Sequence, residues 1–279
     1  MTALGTSVAD ALRSAADRLA AAGVEDARVD AEILVGHVLG ISRSAVALSG
    51  SHEVSDADAE RLETLVARRE RREPLQYVLG EWGFRRLTLR VDARALIPRP
   101  ETETVVERVL RRIAGLDAPA VLDVGTGSGA IALAVADEHR GARVTGIDAS
   151  ADALALAREN AARCGLAVEL VEQDAGAGLP EGPWDVVVSN PPYVPATDRD
   201  TLTSEVREWE PALALFDAGA TDAIATGARH VLAPEGALVL EVGDGQAAAL
   251  VGRLRQLGYR DVTVSRDLAG RERVVEATR

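Results

Sequence analysis

The chain has 279 residues, of which 47% are hydrophobic and only 3% aromatic, so any core must be built mainly of aliphatic side chains. Its formal net charge of -13 disfavours a large nucleic-acid footprint, because the counterion release that drives such binding needs positive charge on the protein. One cysteine, Cys164, excludes an internal disulfide framework, and the four histidines show no metal-ligand spacing, so we expect no metal site.

We expect neither a targeting segment nor a membrane span. The first 14 residues lack a basic segment followed by an apolar run, which predicts no signal peptide. No uninterrupted apolar run reaches the roughly 18 residues of a membrane-spanning helix. Both features predict a soluble, cytoplasmic protein.

Residues 1–75 are predicted to form a small helical domain. Apolar residues recur at helical spacing in two segments that end at Gly23 and Gly40, and two further helices are expected after them. The last of these ends in a run of arginines within residues 68–72. Such a run is typical either of a surface for an acidic protein partner or of a solvated helix end.

Residues 76–98 are predicted to link this helical domain to a larger one, residues 99–279. Apolar and polar residues alternate from Leu87 to Val91, which is strand periodicity and predicts a linking β-hairpin. A helix is expected directly after Pro100.

From residue 120 onward, predicted strands alternate with predicted helices. This alternation is typical of βαβ units, and it predicts an α/β domain with a doubly wound, seven-stranded, mostly parallel sheet. The segment 185–188, Asp-Val-Val-Val, suits a strand that is buried on both faces. The expected strands are 120–124, 143–147, 167–171, 184–189, 237–242, 261–265 and 273–277.

A glycine-rich loop follows the first of these strands. Gly125, Gly127 and Gly129 allow a tight turn and a close approach to a ligand, and the N–H groups at the start of the next helix favour a carboxylate or phosphate. Asp148 ends the next strand, about 20 residues later, where an acid accepts hydrogen bonds from ribose hydroxyls. Together they predict a nucleoside-containing cofactor, and the spacing also fits the dinucleotide pattern. Asp123 favours a cofactor with an ammonium group, as S-adenosylmethionine has.

The tetrad Asn190-Pro191-Pro192-Tyr193 directly follows the predicted strand 184–189. In a doubly wound sheet, ligands bind beyond the carboxyl ends of strands where the strand order reverses. Asn190 Oδ1 and the Pro191 carbonyl can each accept one N–H of a primary amide or amine, and the prolines fix the backbone that carries them. Such a nitrogen needs its lone pair aimed at a methyl group, without a base, and Tyr193 offers a flat face to it. An ordinary proline-rich turn is the alternative interpretation.

Three segments carry a resemblance to a known family: residues 95–103, the glycine loop with its helix start at 123–132, and the tetrad. They resemble the motifs of bacterial release-factor glutamine methyltransferases, and the likeness covers nearly the whole chain. It implies a class I S-adenosylmethionine-dependent methyltransferase fold with a small N-terminal helical bundle. The implied reaction transfers a methyl group to the side-chain amide nitrogen (N5) of the glutamine in the Gly-Gly-Gln loop of peptide chain release factors.

The resemblance also assigns site residues. Asn190, Pro191 and Tyr193 would be catalytic, and all four tetrad residues would hold the substrate glutamine. The family usually has an acid followed by an aromatic residue near the adenine, and here Ala175 follows the acid. The helical domain is expected to dock the protein substrate, and residues 194–216 to form a flap over it. The implied cofactor-binding residues are Asp123, Gly125, Thr126, Gly127, Ser128, Gly129, Asp148, Asp174, Ala175 and Asn190.

Other functions remain open from the residues alone. A DNA or RNA amino-methyltransferase acting on adenine N6 or cytosine N4 shares the logic of the tetrad, but it needs a base-flipping pocket and a basic surface. A nucleotide-binding module without catalysis has no need of the tetrad, and a nicotinamide oxidoreductase fits only the glycine loop. The expected partner is therefore a release factor, with no membrane and no extensive nucleic acid.

Overall fold

The structure, a computed structural model, describes residues 7–279, so residues 1–6 of the predicted helical domain lie outside it. Among the described residues, no helix is both long and apolar enough to cross a membrane. The helices are α1 Val8–Ala21, α2 Ala27–Leu39, α3 Arg43–Leu48, α4 Asp56–Glu70, α5 Leu75–Leu79, α6 Glu103–Ile113, α7 Ala130–Glu138, α8 Ala151–Cys164, α9 Ser204–Trp209, α10 Ala212–Leu215, α11 Ala220–Val231 and α12 Ala247–Gln256.

The strands agree with the predicted ones to within a few residues, with one exception. The strand expected at 237–242 begins earlier, at Leu232, where the chain already pairs with Trp184 of the neighbouring strand. The strands are β1 Glu81–Phe84, β2 Leu87–Arg90, β3 Ala120–Val124, β4 Arg143–Asp148, β5 Glu169–Glu172, β6 Trp184–Ser189, β7 Leu232–Glu241, β8 Arg260–Arg266 and β9 Glu272–Thr278.

The chain forms two compact units whose boundaries differ from the predicted ones. The predicted linking hairpin, β1 and β2, belongs to the second unit, and residues 76–79 are helical. A segment from far along the chain, which contains α9, belongs to the first unit because its side chains pair there. The first unit is Met1–Gly80 with Thr203–Trp209, and the second is Glu81–Leu202 with Glu210–Arg279.

Three arginines of the run at the end of α4 are bound to carboxylates within the first unit. Arg69 lies between Asp30 and Glu205, with nitrogen–oxygen distances of 2.8 and 2.9 Å. Arg72 donates two hydrogen bonds of 2.8 Å to Glu205, and Arg68 binds a further carboxylate. These arginines therefore stabilise the unit that contains them and are not free for an acidic partner.

The second unit contains a seven-stranded sheet in the order β5-β4-β3-β6-β7-β9-β8, in which β9 alone is antiparallel to both neighbours. The chain runs outward from β3 through β4 to β5 and then returns to β6, so the strand order reverses between β3 and β6. Val124 at the end of β3 lies opposite Ser189 at the end of β6. The glycine loop and the tetrad therefore leave the sheet side by side.

Alternate side chains of the central strands face two different layers of helices. Val186 and Val188 pack with α6 and α7, whereas Val187 packs with α11 and α12. All three are buried, which confirms the prediction of a strand covered on both faces. Burying each valine contributes about 1.5–3 kcal/mol, so this core holds the carboxyl ends of β3 and β6 in fixed positions.

Candidate active site

The glycine loop crosses the carboxyl end of β3 and leads into α7. Gly125 and Gly127 have φ angles of 71° and 57°, a region that favours glycine. A Cβ at Gly125 would meet no atom within 4 Å, so the space beside it is open. The N–H groups of Gly125 and Thr126 donate to the Ile147 carbonyl at 2.8 and 2.9 Å. The loop thus presents its backbone to open space while it is fixed against β4.

Asp123 lies beneath this loop and does not line the cavity that the loop borders. Its carboxylate accepts the Thr126 hydroxyl at 2.7 Å and the Ala132 N–H at 3.1 Å. Burial raises the pKa of Asp123 to about 7, although these two hydrogen bonds oppose the rise. The side chain is 1% exposed, and its Oδ1 is buried without a hydrogen-bond partner among residues 7–279, so the predicted contact with an ammonium group stays a prediction. Its Oδ2 holds the loop to the start of α7.

Asp148 ends β4 and faces the cavity. Its two carboxylate oxygens accept the N–H groups of Gly127 and Ser150, each at 2.9 Å. Burial raises the pKa of Asp148, and these hydrogen bonds oppose the rise. Each oxygen keeps a further lone pair, so the carboxylate can still accept hydroxyl groups of a ribose.

Two residues that support the loop were not singled out from the sequence. A Cβ at Gly146 of β4 would lie 2.8 Å from Thr126 Oγ1, so only glycine lets the loop pack directly on the strand. Asn160 of α8 is fully buried, and its Nδ2 donates to the Ser128 carbonyl at 2.9 Å. The same side chain binds both backbone polar groups of Arg90 in β2. The role of the glycine could have been found from the sequence, because a glycine inside a strand is a local signal. The role of the asparagine could not, because the sequence of a helix carries no local signal that an asparagine is buried.

The tetrad begins where β6 ends. Ser189 Oγ donates to the Val124 carbonyl at 2.6 Å and joins the ends of β3 and β6. Asn190 Nδ2 donates to Thr102 Oγ1 at 3.3 Å, which leaves Asn190 Oδ1 available as an acceptor. Pro191 is buried, and Pro192 continues the chain along the cavity wall. The acceptor that the sequence predicted is therefore held beside the glycine loop.

Tyr193 packs away from the cavity wall. Its carbonyl accepts Gln246 Nε2 at 2.8 Å, and Gln246 Oε1 accepts the Gly243 N–H at 3.0 Å. The ring lies so close to Gly243 that a Cβ there would be 3.0 Å from Cδ2. Burial raises the pKa of the Tyr193 phenol, and the charge of Glu241 adds to the rise. The contact of Tyr193 with a planar substrate group stays a prediction.

One cavity of about 220 Å³, formed within the second unit, brings most of the predicted residues together. Three predicted residues, Asp123, Gly129 and Tyr193, do not line its wall. Gly129 lies at the start of α7 and packs against Leu133. Leu213 and Ile224 supply apolar surface that the sequence did not predict. The predicted residues on the wall are Gly125, Thr126, Gly127, Ser128, Asp148, Asp174, Ala175, Asn190, Pro191 and Pro192.

An arginine and a buried glutamate join the edge of this cavity to the segment after the tetrad. Arg99 lines the cavity, and its Nη2 donates to both oxygens of Glu210 at 2.6 and 2.8 Å. Burial raises the pKa of Glu210, and the charge of Arg99 opposes the rise. Pro211, which follows, lines the cavity. This ion pair therefore fixes the chain where it returns to the cavity after the tetrad.

The reversal of strand order beside the glycine loop places the second unit in the class I S-adenosylmethionine-dependent methyltransferases. Family models match residues 10–80, as a PrmC N-terminal domain, and residues 103–208, as a methyltransferase small domain. The chain belongs to the family of release factor glutamine methyltransferases. It is 46% identical to the one from Deinococcus radiodurans, over 97% of this chain and 98% of that one. It is 42% identical to the one from Rhodospirillum rubrum, over 94% and 82%.

The fold is shared more widely than the family. The 16S rRNA N2 G1207 methyltransferase of T. thermophilus is similar to 71% of this chain and 49% of its own, with a TM-score of 0.51 and 18% identity. That likeness concerns the architecture of the sheet and its helices only.

Proposed function

We propose that this chain transfers a methyl group from S-adenosylmethionine to the side-chain amide nitrogen (N5) of the glutamine in the Gly-Gly-Gln loop of peptide chain release factors. The observation that carries the proposal is the placement of Asn190. It lines the same cavity as the glycine loop, and Thr102 holds its Nδ2, so Oδ1 remains for an N–H of the substrate. The names of the relatives, release factor glutamine methyltransferase, support the choice of substrate.

The residues of the cavity fit S-adenosylmethionine, which supplies an electrophilic methyl group when bound. The open space beside Gly125 and the N–H groups at the start of α7 suit its methionine carboxylate. Asp148 can accept ribose hydroxyls. Asp174 and Ala175 would adjoin the adenine, and Leu213 and Ile224 supply apolar surface that Ala175 is too small to provide.

Asn190 and Pro191 would orient the substrate nitrogen. An amide nitrogen is a poor nucleophile because its lone pair is delocalised into the carbonyl. When Asn190 Oδ1 and the Pro191 carbonyl accept its two hydrogens, the nitrogen becomes more pyramidal and its lone pair faces the methyl group. Preorganised hydrogen-bond partners of this kind are worth about 10²–10³ in rate. As the nitrogen–carbon bond forms, the carbon–sulfur bond of the donor would break, with S-adenosylhomocysteine as the product. The nitrogen would lose one proton afterwards, so no base is required beforehand.

We propose that the helical unit docks the release factor and that residues 194–216 act as a flap over the bound glutamine. The segment lies directly after the tetrad and contains two short helices, α9 and α10. The proposed substrate belongs to the translation apparatus, so the reaction takes place in the cytoplasm. With a net charge of -13 and three arginines of the run already bound to carboxylates, extensive nucleic-acid binding is not part of the proposal.

The proposal is tested with methyl-labelled S-adenosylmethionine and three acceptors. These are a purified release factor, the same factor with the glutamine of its Gly-Gly-Gln loop replaced by glutamate, and a mixture of DNA and ribosomal RNA. We expect about one methyl group per intact release factor and none on the other two acceptors. Label on the nucleic acids, or equal label on the altered release factor, would contradict the proposed substrate.

A further inference from the structure

Asn190 and Glu241 leave the sheet next to each other. In the parallel pair of β6 and β7, Ser189 lies opposite Leu240, so the residues that follow them, Asn190 and Glu241, stand at the same edge. Glu241 is 1% exposed, and its Oε2 is buried without a hydrogen-bond partner among residues 7–279. A buried carboxylate with an unsatisfied oxygen lowers stability, so its place beside the substrate acceptor needs an explanation.

Thr102 lies between these two side chains. It ends the single 3₁₀ turn before α6 and is buried. Its Oγ1 accepts the hydrogen bond from Asn190 Nδ2 at 3.3 Å, and a hydrogen bond from its hydroxyl lowers the pKa of the Glu241 carboxyl. One hydroxyl can accept one hydrogen bond and donate another, so Thr102 can serve both neighbours at once.

We propose that Glu241, acting through the Thr102 hydroxyl, sets the orientation of the Asn190 side-chain amide and keeps its Oδ1 turned to the substrate. While Glu241 is ionised it can only accept, so Thr102 must donate to it, and the Thr102 oxygen then accepts Asn190 Nδ2. If Glu241 is protonated, it can donate to Thr102, and the freed Thr102 hydrogen favours Oδ1 of a rotated Asn190 amide. The rotated amide presents N–H groups to the substrate N–H groups, which cannot pair. Glu241 and Thr102 are both positioning residues. The inference rests on the proposed function.

The surroundings of Glu241 favour a change of protonation near neutral pH. Burial raises the pKa of Glu241 to about 7, while the Thr102 hydroxyl and then the charge of Arg273 in β9 oppose the rise. Glu101 raises the pKa further, and Arg99 lowers it. Tyr193 also faces Glu241, and burial raises the pKa of its phenol, which keeps it neutral. The reactive orientation of Asn190 is therefore favoured above about pH 7 and is progressively lost as the pH falls through this value.

The first test compares Thr102→Val, which removes the hydroxyl at nearly constant volume, with Thr102→Ser, which keeps it. We expect Thr102→Val to lower kcat about 10- to 100-fold, because misplacement of a positioned group by about 1 Å costs up to about 100-fold. The Kd for S-adenosylmethionine, measured by calorimetry, should stay within about 3-fold. Thr102→Ser should restore most of the turnover. If Thr102→Val does not fold, Thr102→Ala against Thr102→Ser gives the same comparison.

Thr145→Val is the matched control for loss of a buried hydroxyl. Thr145 is also buried and donates to a carboxylate, Glu169 Oε2 at 3.1 Å, but it lies within β4 away from the tetrad. We expect this variant to keep its kcat. Equal losses in Thr145→Val and Thr102→Val, or equal turnover of Thr102→Val and the unaltered chain, would overturn the inference.

The second test is the pH profile of kcat/KM, which reports groups in the free enzyme. The unaltered chain should lose activity as the pH falls below about 7, and Glu241→Gln should remove this dependence because its side chain does not titrate. A profile that Glu241→Gln leaves unchanged would overturn the role of Glu241. An unaltered chain that methylates no release factor at any pH would instead contradict the proposed function, so the two failures are distinguishable.

Discussion

The two walls of the cavity are held in different ways. The glycine loop is fixed mainly by its own backbone, whose N–H groups bind Ile147 and Asp148. The tetrad is fixed by single side chains from other elements, namely Thr102 on Asn190 and Gln246 on Tyr193. The cofactor wall should therefore tolerate side-chain changes, except where a Cβ would collide or where a buried side chain such as Asn160 holds the loop. The substrate wall should lose its function through one substitution without unfolding.

The largest effect is expected for Asn190→Ala, which removes the acceptor itself. The kcat should fall at least about 100-fold, because a positioned hydrogen-bond partner of the reacting group is lost. The Kd for S-adenosylmethionine should stay within about 3-fold, since the glycine loop holds its shape without Asn190. Transfer of labelled methyl groups and calorimetry measure the two quantities. A variant with nearly unaltered turnover would show that Asn190 takes no part in the reaction.

The chain's other asparagine is Asn160, and Asn160→Ala should affect stability and cofactor binding more than kcat. The change leaves the Ser128 carbonyl and both backbone groups of Arg90 without their partner. We expect about 2–3 kcal/mol less free energy of unfolding, because buried polar groups lose their hydrogen bonds. Binding of the cofactor should weaken, and kcat at saturating cofactor should change less than in Asn190→Ala. Urea unfolding measures the loss of stability, and calorimetry measures the binding of the cofactor. A loss confined to kcat would mean that the two walls are held in the same way.

Gly146→Ala tests whether a collision on the cofactor wall weakens binding of the cofactor. The new Cβ would stand 2.8 Å from Thr126 Oγ1 and 3.0 Å from Leu170 Cδ2, so the loop must shift. We expect the Kd for S-adenosylmethionine to rise about 10-fold, which corresponds to about 1.4 kcal/mol. Gly252→Ala in α12 is the control, because a Cβ there meets nothing within 4 Å. It should raise stability by about 0.5–1 kcal/mol and leave binding unchanged.

The smallest effect is expected for Glu205→Gln, in the segment after the tetrad. Burial raises the pKa of Glu205, but the hydrogen bonds of Arg72 and Arg69 outweigh it and hold the pKa at about 2, below the ordinary 4.5. A lowered folded-state pKa stabilises the protein above pH 4.5, and this contribution shrinks as the pH falls towards 2. We expect a loss of about 1 kcal/mol at pH 7 that becomes smaller at pH 3. Thermal unfolding measures it, and a difference that grows on acidification would contradict the sign.

The sequence predicted the sheet and most of the cavity because their signals are local. A glycine loop of a few residues, an acid at the end of the next strand and a tetrad after a valine-rich strand can each be recognised without knowledge of contacts. Thr102, Glu241 and Gln246 could not be recognised in that way. Thr102 is 88 residues from Asn190, and Gln246 is 53 from Tyr193. Their roles arise only when the fold brings distant segments together.

The same physics explains why the placement of Asp123 was not predicted. An acid near a glycine loop can face a ligand or fold back onto the backbone, and the sequence is identical in both cases. Asp123 Oδ2 folds back onto the Thr126 hydroxyl and the Ala132 N–H, three and nine residues away, while Oδ1 has no partner among residues 7–279. The arginine run is similar, because its main carboxylate partner, Glu205, comes 133 residues after Arg72.

The position of α9 in the first unit has a consequence for the order of events during synthesis. The amino end of the chain emerges from the ribosome first, and domains generally fold as they emerge. The helices up to Gly80 leave first, but Glu205, which pairs with Arg69 and Arg72, follows more than a hundred residues later. The first unit is therefore completed only when most of the sheet has been translated. A fragment cut at residue 80 would lack a helix of its own fold and keep two arginines without their shared carboxylate.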